Sequence, residues 1–211
     1  RNTWEAKMTK DGKIILLGIV ALIMLMAIGI NIKGSADGIL FDEKIMQYVH
    51  ERATTQGIEF MKKITFFGSA KFFLGFGFIV LLYMIMRRNR EGVVLLMLST
   101  IGSYGVNFIL KHIFTRTRPI KYFLIEQGGY SFPSGHAMIS MSFYTTMTYL
   151  IIKSSREKGS KDKKVLWILN FLIVGFIGFS RIYLGIHWPT DVLMGYLMGY
   201  VVYKTSVNYM I

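Results

Sequence analysis

Six stretches of this chain are long and apolar enough to cross a lipid bilayer, and no other feature of the sequence narrows the fold so far. Inside hydrocarbon every backbone N–H and C=O must bond within its own segment, so apolar stretches of this length are helices. The first runs from Ile14 to Ile32 between Lys13 and Lys33, and at about 1.5 Å per residue it extends roughly 28 Å. The others are Phe72 to Met86, which stops at Arg87-Arg88-Asn89-Arg90-Glu91; Gly92 to Leu110; Gly135 to Ile152, rich in Ser and Thr; Val165 to Tyr183; and Pro189 to Val207. The expected fold class is all-α, a polytopic membrane protein with six transmembrane helices in a single integral-membrane domain over residues 1–211. Residues 1–10 are polar, begin without methionine, and are expected to be disordered or foreign to the native start.

Composition points the same way, with 53% hydrophobic residues, 18% charged residues and a mean hydropathy of +0.43. There is no cysteine, so disulfides and thiolate metal sites are excluded, and four histidines do not make a conventional zinc cluster. The net charge of +13 comes without a basic stripe interleaved with aromatics, so it reads as membrane-protein loop charge and not as a nucleic-acid surface. Between the first two spans, residues 34–69 place Phe41, Ile45, Tyr48 and Val49, then Ile58, Met61 and Ile64, at helical spacings. Two short interfacial helices broken at Gly57 are expected, as a packed cap or a gate beside a lipid entry path, with His50 an interfacial histidine. Gly195 and Gly199 form a GxxxG pair that lets a neighbouring helix approach closely.

Alternation along six spans brings three connections to one face: Lys111 to Pro119, Ser131 to His136, and Arg181 to Asp191. Placing both termini in the cytoplasm puts a small majority of the lysines and arginines inside, and the margin widens once Lys111, Arg118 and Arg181 are assigned to a site on the outer face. The protein is then a multi-pass cell-membrane protein with an extracytoplasmic pocket. There, Ser134 is a good N-cap for the fourth span, and Gly135 permits close approach to the free amides of its first turn. One lysine and two arginines around that helix end suit a tetrahedral phosphate dianion. Pro189 presets the start of the sixth helix, and Asp191, four residues after His187, falls on the same side as the imidazole. His187, oriented by Asp191, is the candidate nucleophile, and His136 the general acid for the leaving oxygen. Arg116 and Lys121 read as snorkelling anchors, His112 as a headgroup neighbour, and Ser140, Ser142, Thr145, Thr146 and Thr148 as bonding to their own helix or its neighbours. Asn107 and Asn170 are buried polar groups.

Taken together, Lys111-x6-Arg118-Pro119, Pro133-Ser134-Gly135-His136 and Ser180-Arg181-x5-His187-x3-Asp191 resemble the three-part signature of the type 2 phosphatidic acid phosphatase family, with every position filled. The resemblance implies the helical core shared with the haloperoxidases and a metal-independent, cofactor-free phosphatase. In it, His187 takes the phosphoryl group, His136 protonates the alcohol and later activates water, and Asp191 orients His187. Lys111, Arg118, Ser134, Gly135 and Arg181, with Ser180 alongside, bind the phosphoryl oxygens. Six apolar spans set this chain apart from the soluble acid phosphatases and haloperoxidases. They favour lipid substrates: phosphatidylglycerophosphate, phosphatidic acid or undecaprenyl diphosphate, with membrane lipids as the other partners. Two alternatives stay open, a lipid-linked phosphotransferase using the same phosphohistidine and a non-catalytic lipid-phosphate binding or transport protein.

Overall fold

The computed structural model describes residues 3–35, 37–155 and 159–210, with the side chains of residues 3–11 and 13 left aside. Arg1, Arg156 and Lys158, which enter the charge count for orientation, lie outside the described residues. The described chain forms eight α-helices: α1 (Thr3–Ile32), α2 (Leu40–His50), α3 (Thr55–Phe66), α4 (Ala70–Met86), α5 (Arg90–Phe114), α6 (Gly135–Ser154), α7 (Ser160–Tyr183) and α8 (Pro189–Met210). Each of the six apolar stretches lies within one of the six longer helices, and α1 begins at Thr3 instead of Ile14.

The helices start where local chemistry lets them. Ser69 accepts from the amide of Phe72 at 3.2 Å, Asn89 from that of Gly92 at 2.9 Å, and Ser134 from that of Ala137 at 3.5 Å. The α2–α3 break falls at Glu51 to Thr54, not at Gly57: Thr54 caps α3 by accepting from the Gly57 amide at 3.1 Å, which puts Gly57 inside the first turn. The glycine is needed there for another reason, since the Tyr183 hydroxyl of α7 occupies the space a Cβ would take. By length and composition α3 and α4, bent by 42° at their junction, together fit one broken membrane span or a re-entrant loop.

By length and composition α1, α5 and α7 can each cross a membrane, as can the bent α3–α4 pair. The protein is membrane-embedded, and these helices turn apolar side chains outward: Leu16 and Ile23 on α1, Leu74 and Phe78 on α4, Ile101 and Phe108 on α5, Ile168 and Phe171 on α7. The helices α6 and α8 are different. They pack on each other more extensively than any other pair and are enclosed by α5, α7 and α1. On α6, Ser140, Ser142, Thr145, Thr146 and Thr148 are all buried; Thr146 bonds Ser99 of α5 at 2.9 Å, and Asn170 of α7 donates to Thr145 at 3.3 Å. Gly195 and Gly199 face the backbone of α6 at Ser134 and Met138, so a side chain at either position would push the two helices apart.

Candidate active site

The C-terminal ends of α5 and α7 and the N-terminal ends of α6 and α8 meet at one end of the bundle. Two connections close over it, 115–134 and 184–188. The tight turn at Gly185 (φ +74) is open only to glycine, because the Tyr122 carbonyl fills the place of a Cβ. It drops His187 to the mouth of α8, where Asp191, one turn on, accepts from the Trp188 amide at 2.9 Å.

His187 is 2% exposed and held at both ring nitrogens. Nδ1 lies 3.3 Å from the Ser131 hydroxyl and 3.4 Å from Oδ2 of Asp191, while Ser131 itself donates to that carboxylate in a short hydrogen bond. With Ser131's proton committed to Asp191, the proton between the ring and these oxygens belongs to Nδ1. Nε2 is left with its lone pair, toward which Arg118 Nη1 points at 3.1 Å. Burial holds the imidazole well below its ordinary pKa, and the charges of Arg118, Lys111, Arg181 and His136 push in the same direction.

Three cations frame the space beyond Nε2. Arg118 is tied to the carbonyls of Gly129 at 2.9 Å and Ile186 at 2.6 Å, and burial brings its pKa down to about 10. Lys111 donates to the carbonyls of Tyr130 at 2.5 Å and Ser131 at 3.3 Å. Arg181 reaches Thr65 of α3 at 2.7 Å and Gln127 at 3.4 Å, and its buried Nε has no acceptor among the described residues. His136 stands on the first turn of α6, next to helix amides that lack intrahelical acceptors, and among the described residues no hydrogen bond engages its ring.

All eight expected site residues therefore gather at this end: Lys111, Arg118, Ser134, Gly135, His136, Arg181, His187 and Asp191. Ser180 does not join them, since its hydroxyl bonds back to the Ile177 carbonyl at 2.5 Å. Gly135 packs against Asn107, whose Oδ1 lies 3.0 Å from where a Cβ would sit. Asn107 also donates to the Pro133 carbonyl at 3.0 Å and so fixes the approach to α6.

Arg116 corrects the sequence reading. It is fully buried, not a snorkelling anchor. Thr115 ends α5 in the left-handed region (φ 48), which reverses the chain and turns Arg116 inward under α8. Its guanidinium donates to Asp191 at 2.7 Å, Asp42 at 2.7 Å and Thr190 at 2.8 Å. Asp42 and Ser131 were also not expected at the site. Lys121 and His112 are surface groups, and Lys121 pairs with Glu43 at 2.8 Å.

Comparison with known proteins agrees with this geometry. Over 147 residues the chain is 35% identical to phosphatidylglycerophosphatase B of Bacillus subtilis, covering 69% of this chain and 71% of that protein. Over 189 residues it is 26% identical to the undecaprenyl-diphosphatase of Sulfolobus acidocaldarius, covering 86% and 84% respectively. The crystal structure of the transmembrane PAP2 type phosphatidylglycerolphosphate phosphatase from Bacillus subtilis superposes with a TM-score of 0.81 at 29% identity, over 93% of this chain and 95% of that one. The PAP2 superfamily model matches residues 92–210, the stretch that holds His136, His187, all three framing cations and Asp191, and the chain belongs to that superfamily.

Proposed function

We propose that this PAP2-type lipid phosphatase hydrolyses a lipid phosphate or diphosphate monoester at the outer membrane face, through a phosphohistidine on His187 and without a metal ion. The observation that carries the reading is the state of the His187 ring: its Nδ1 proton is engaged by Ser131 and Asp191, and its Nε2 lone pair faces the three-cation space.

In the first step Nε2 attacks phosphorus while the bond to the lipid oxygen breaks, and His136 gives that oxygen a proton. In the second, His136 takes a proton from water as the water attacks, the P–N bond breaks, and phosphate leaves. Lys111, Arg118, Arg181 and the first-turn amides behind Ser134 and Gly135 hold the equatorial oxygens, whose charge is the main lever available to the protein in such a transfer. A divalent cation would have to sit among these fixed positive charges, so activity is expected to survive EDTA.

A lipid substrate is supported by a cleft of about 510 Å³ between α4, α5 and α6, lined by Phe73, Leu74, Phe78, Ile101 and Phe143. It reaches Ile139, one turn along α6 from His136, so an acyl or prenyl tail lying there leaves the headgroup at the pocket. Phosphatidylglycerophosphate and undecaprenyl diphosphate, after which the relatives are named, and phosphatidic acid are the substrates to compare. In the same reading α6 and α8 complete six crossings of one domain, both termini are cytoplasmic, and the site opens outward.

Acid-quenched variants test the mechanism. His187→Ala should carry no phosphate with any substrate. His136→Ala should accumulate phosphohistidine from a nitrophenyl phosphate, whose leaving group needs no proton, and fail on the lipid. Phosphohistidine on the His187→Ala protein and none on the His136→Ala protein would reverse the two roles.

A further inference from the structure

We propose that Asp42 and Arg116 are positioning residues of the reaction, a buried carboxylate and guanidinium that set both the orientation and the charge of Asp191 behind His187. The proposal rests on the assignment of His187 as the nucleophile.

The geometry is a closed relay. Asp42, on α2, accepts from the Thr190 amide at 2.9 Å with one oxygen, and from the Thr190 hydroxyl at 2.8 Å and Arg116 Nη2 at 2.7 Å with the other. Nη1 of Arg116 donates to Thr190 Oγ1 and to Oδ1 of Asp191. Asp42, Arg116 and Asp191 are each 0% exposed, and the guanidinium also lies 5.2 Å from the centre of the Trp188 ring. Because Arg116 occupies Oδ1, the other oxygen of Asp191 is free for Ser131, the Trp188 amide and His187.

Charge is the second part of the argument. Fastening α2 to α8 needs no ions, and a packed apolar contact would do it at lower desolvation cost. Two carboxylates sharing one guanidinium leave one net negative charge in a dry enclosure beside His187. That charge faces a ring surrounded by Arg118, Lys111, Arg181 and His136. With Arg116 and Asp191 alone the pair would be neutral, and the carboxylate's pull on the imidazole proton would weaken. Without the arginine, two buried carboxylates would compete and one would take a proton. Asp42 thus lets Arg116 orient Asp191 without cancelling it. This also gives the α1–α4 connection a part in the chemistry that takes place between α6 and α8.

The test compares charge with structure, using phosphatidylglycerophosphate in detergent micelles and phosphate release as the readout. Asp42→Asn keeps an acceptor for the Thr190 amide and removes the charge. We expect kcat to fall about 10-fold or more with KM little changed. The acidic limb of the kcat profile should move about half a unit or more to lower pH, because an imidazolium with less negative charge nearby is harder to form. Arg116→Gln should lose at least as much. The double variant Asp42→Asn/Arg116→Gln removes the competing carboxylate, leaves the single negative charge on Asp191, and should be more active than Arg116→Gln alone. Thr190→Val keeps every charge, lowers the melting temperature, and should leave the limb where it is. An unshifted limb in a folded Asp42→Asn protein, additive losses in the double variant, or a Thr190→Val limb that moves as far would each overturn the proposal. The parent reading fails separately: wild-type enzyme whose trapped phosphate is not on His187 would sink that reading whatever the Asp42 variant does.

Discussion

The two ends of the helical bundle hold together by different means. At the site end, Asp42, Arg116, Ser131, His187 and Asp191 are all buried, and each polar side chain owes its place to a partner on another segment. At the opposite end, the core includes Met84, Leu95, Leu150, Tyr203 and Val207, and the charges are outside it: Lys153 and Glu91 pair with 44% of each side chain exposed. Apolar packing is non-directional and fails in proportion to the volume removed. A paired polar network fails when any one partner is lost, since the partner left behind is buried and unsatisfied. Stability and activity should therefore be separable by position along the bundle.

The largest effect expected is at the site end. Asp191→Asn preserves shape but offers the His187 ring the wrong hydrogen-bonding partner, and initial rates of phosphate release should fall about 10³- to 10⁴-fold. Next, Leu95→Ala at the other end, outside the tail cleft, should cost about 3 kcal/mol of stability in a denaturation series through the cavity it leaves. Its kcat per folded molecule should stay near that of the parent. A Leu95→Ala protein that melts normally but turns over slowly would break the division between the two ends.

A smaller effect comes from pH. His187 is held below its unfolded value of about 6.5, so the folded ring is still neutral where the unfolded chain has begun to take up a proton. Its contribution to stability is complete above that value and declines as pH falls toward the folded pKa. The nucleophile stays available over the same window. Titration of the ¹⁵N-labelled imidazole should show no protonation at pH 6.5, and half-protonation there would mean that the ring is wetter than its surroundings indicate. The smallest change is expected for Lys153→Ala, whose exposed pair with Glu91 should be worth less than about 1 kcal/mol in the same denaturation series.

Where a site contact is short in sequence, it could be read from sequence. His187 and Asp191 are one turn apart, and Ser134 caps the helix it precedes. The Arg116–Asp42 pair joins residues separated by 74 positions and the Thr190–Asp42 bond by 148, and no periodicity records such distances. The rule for basic residues at span ends misplaced Arg116 because the left-handed turn at Thr115 redirects it. Ser131 stood beside a recognised motif, yet a serine hydroxyl carries no sign of its partner until the fold supplies one. Gly57 was read as a break because glycine punctuates helices. Here it is a notch for the Tyr183 ring.

The enclosure of α6 and α8 bears on how the chain enters a membrane in the first place. A helix with a column of buried serines and threonines, or one headed by Thr190 and Asp191, gains little from lipid alone. Thr146 finds Ser99 of α5, Asn170 of α7 donates to Thr145, and Thr190 bonds Asp42 of α2, so in the six-span arrangement those neighbours act as part of its solvent. By length and composition α1, α5 and α7 can partition on their own. The two that carry the histidine chemistry fall short of that test, so in the six-span arrangement they depend on the assembled bundle, and a chain that has not completed it should not yet present a reactive imidazole to the bilayer.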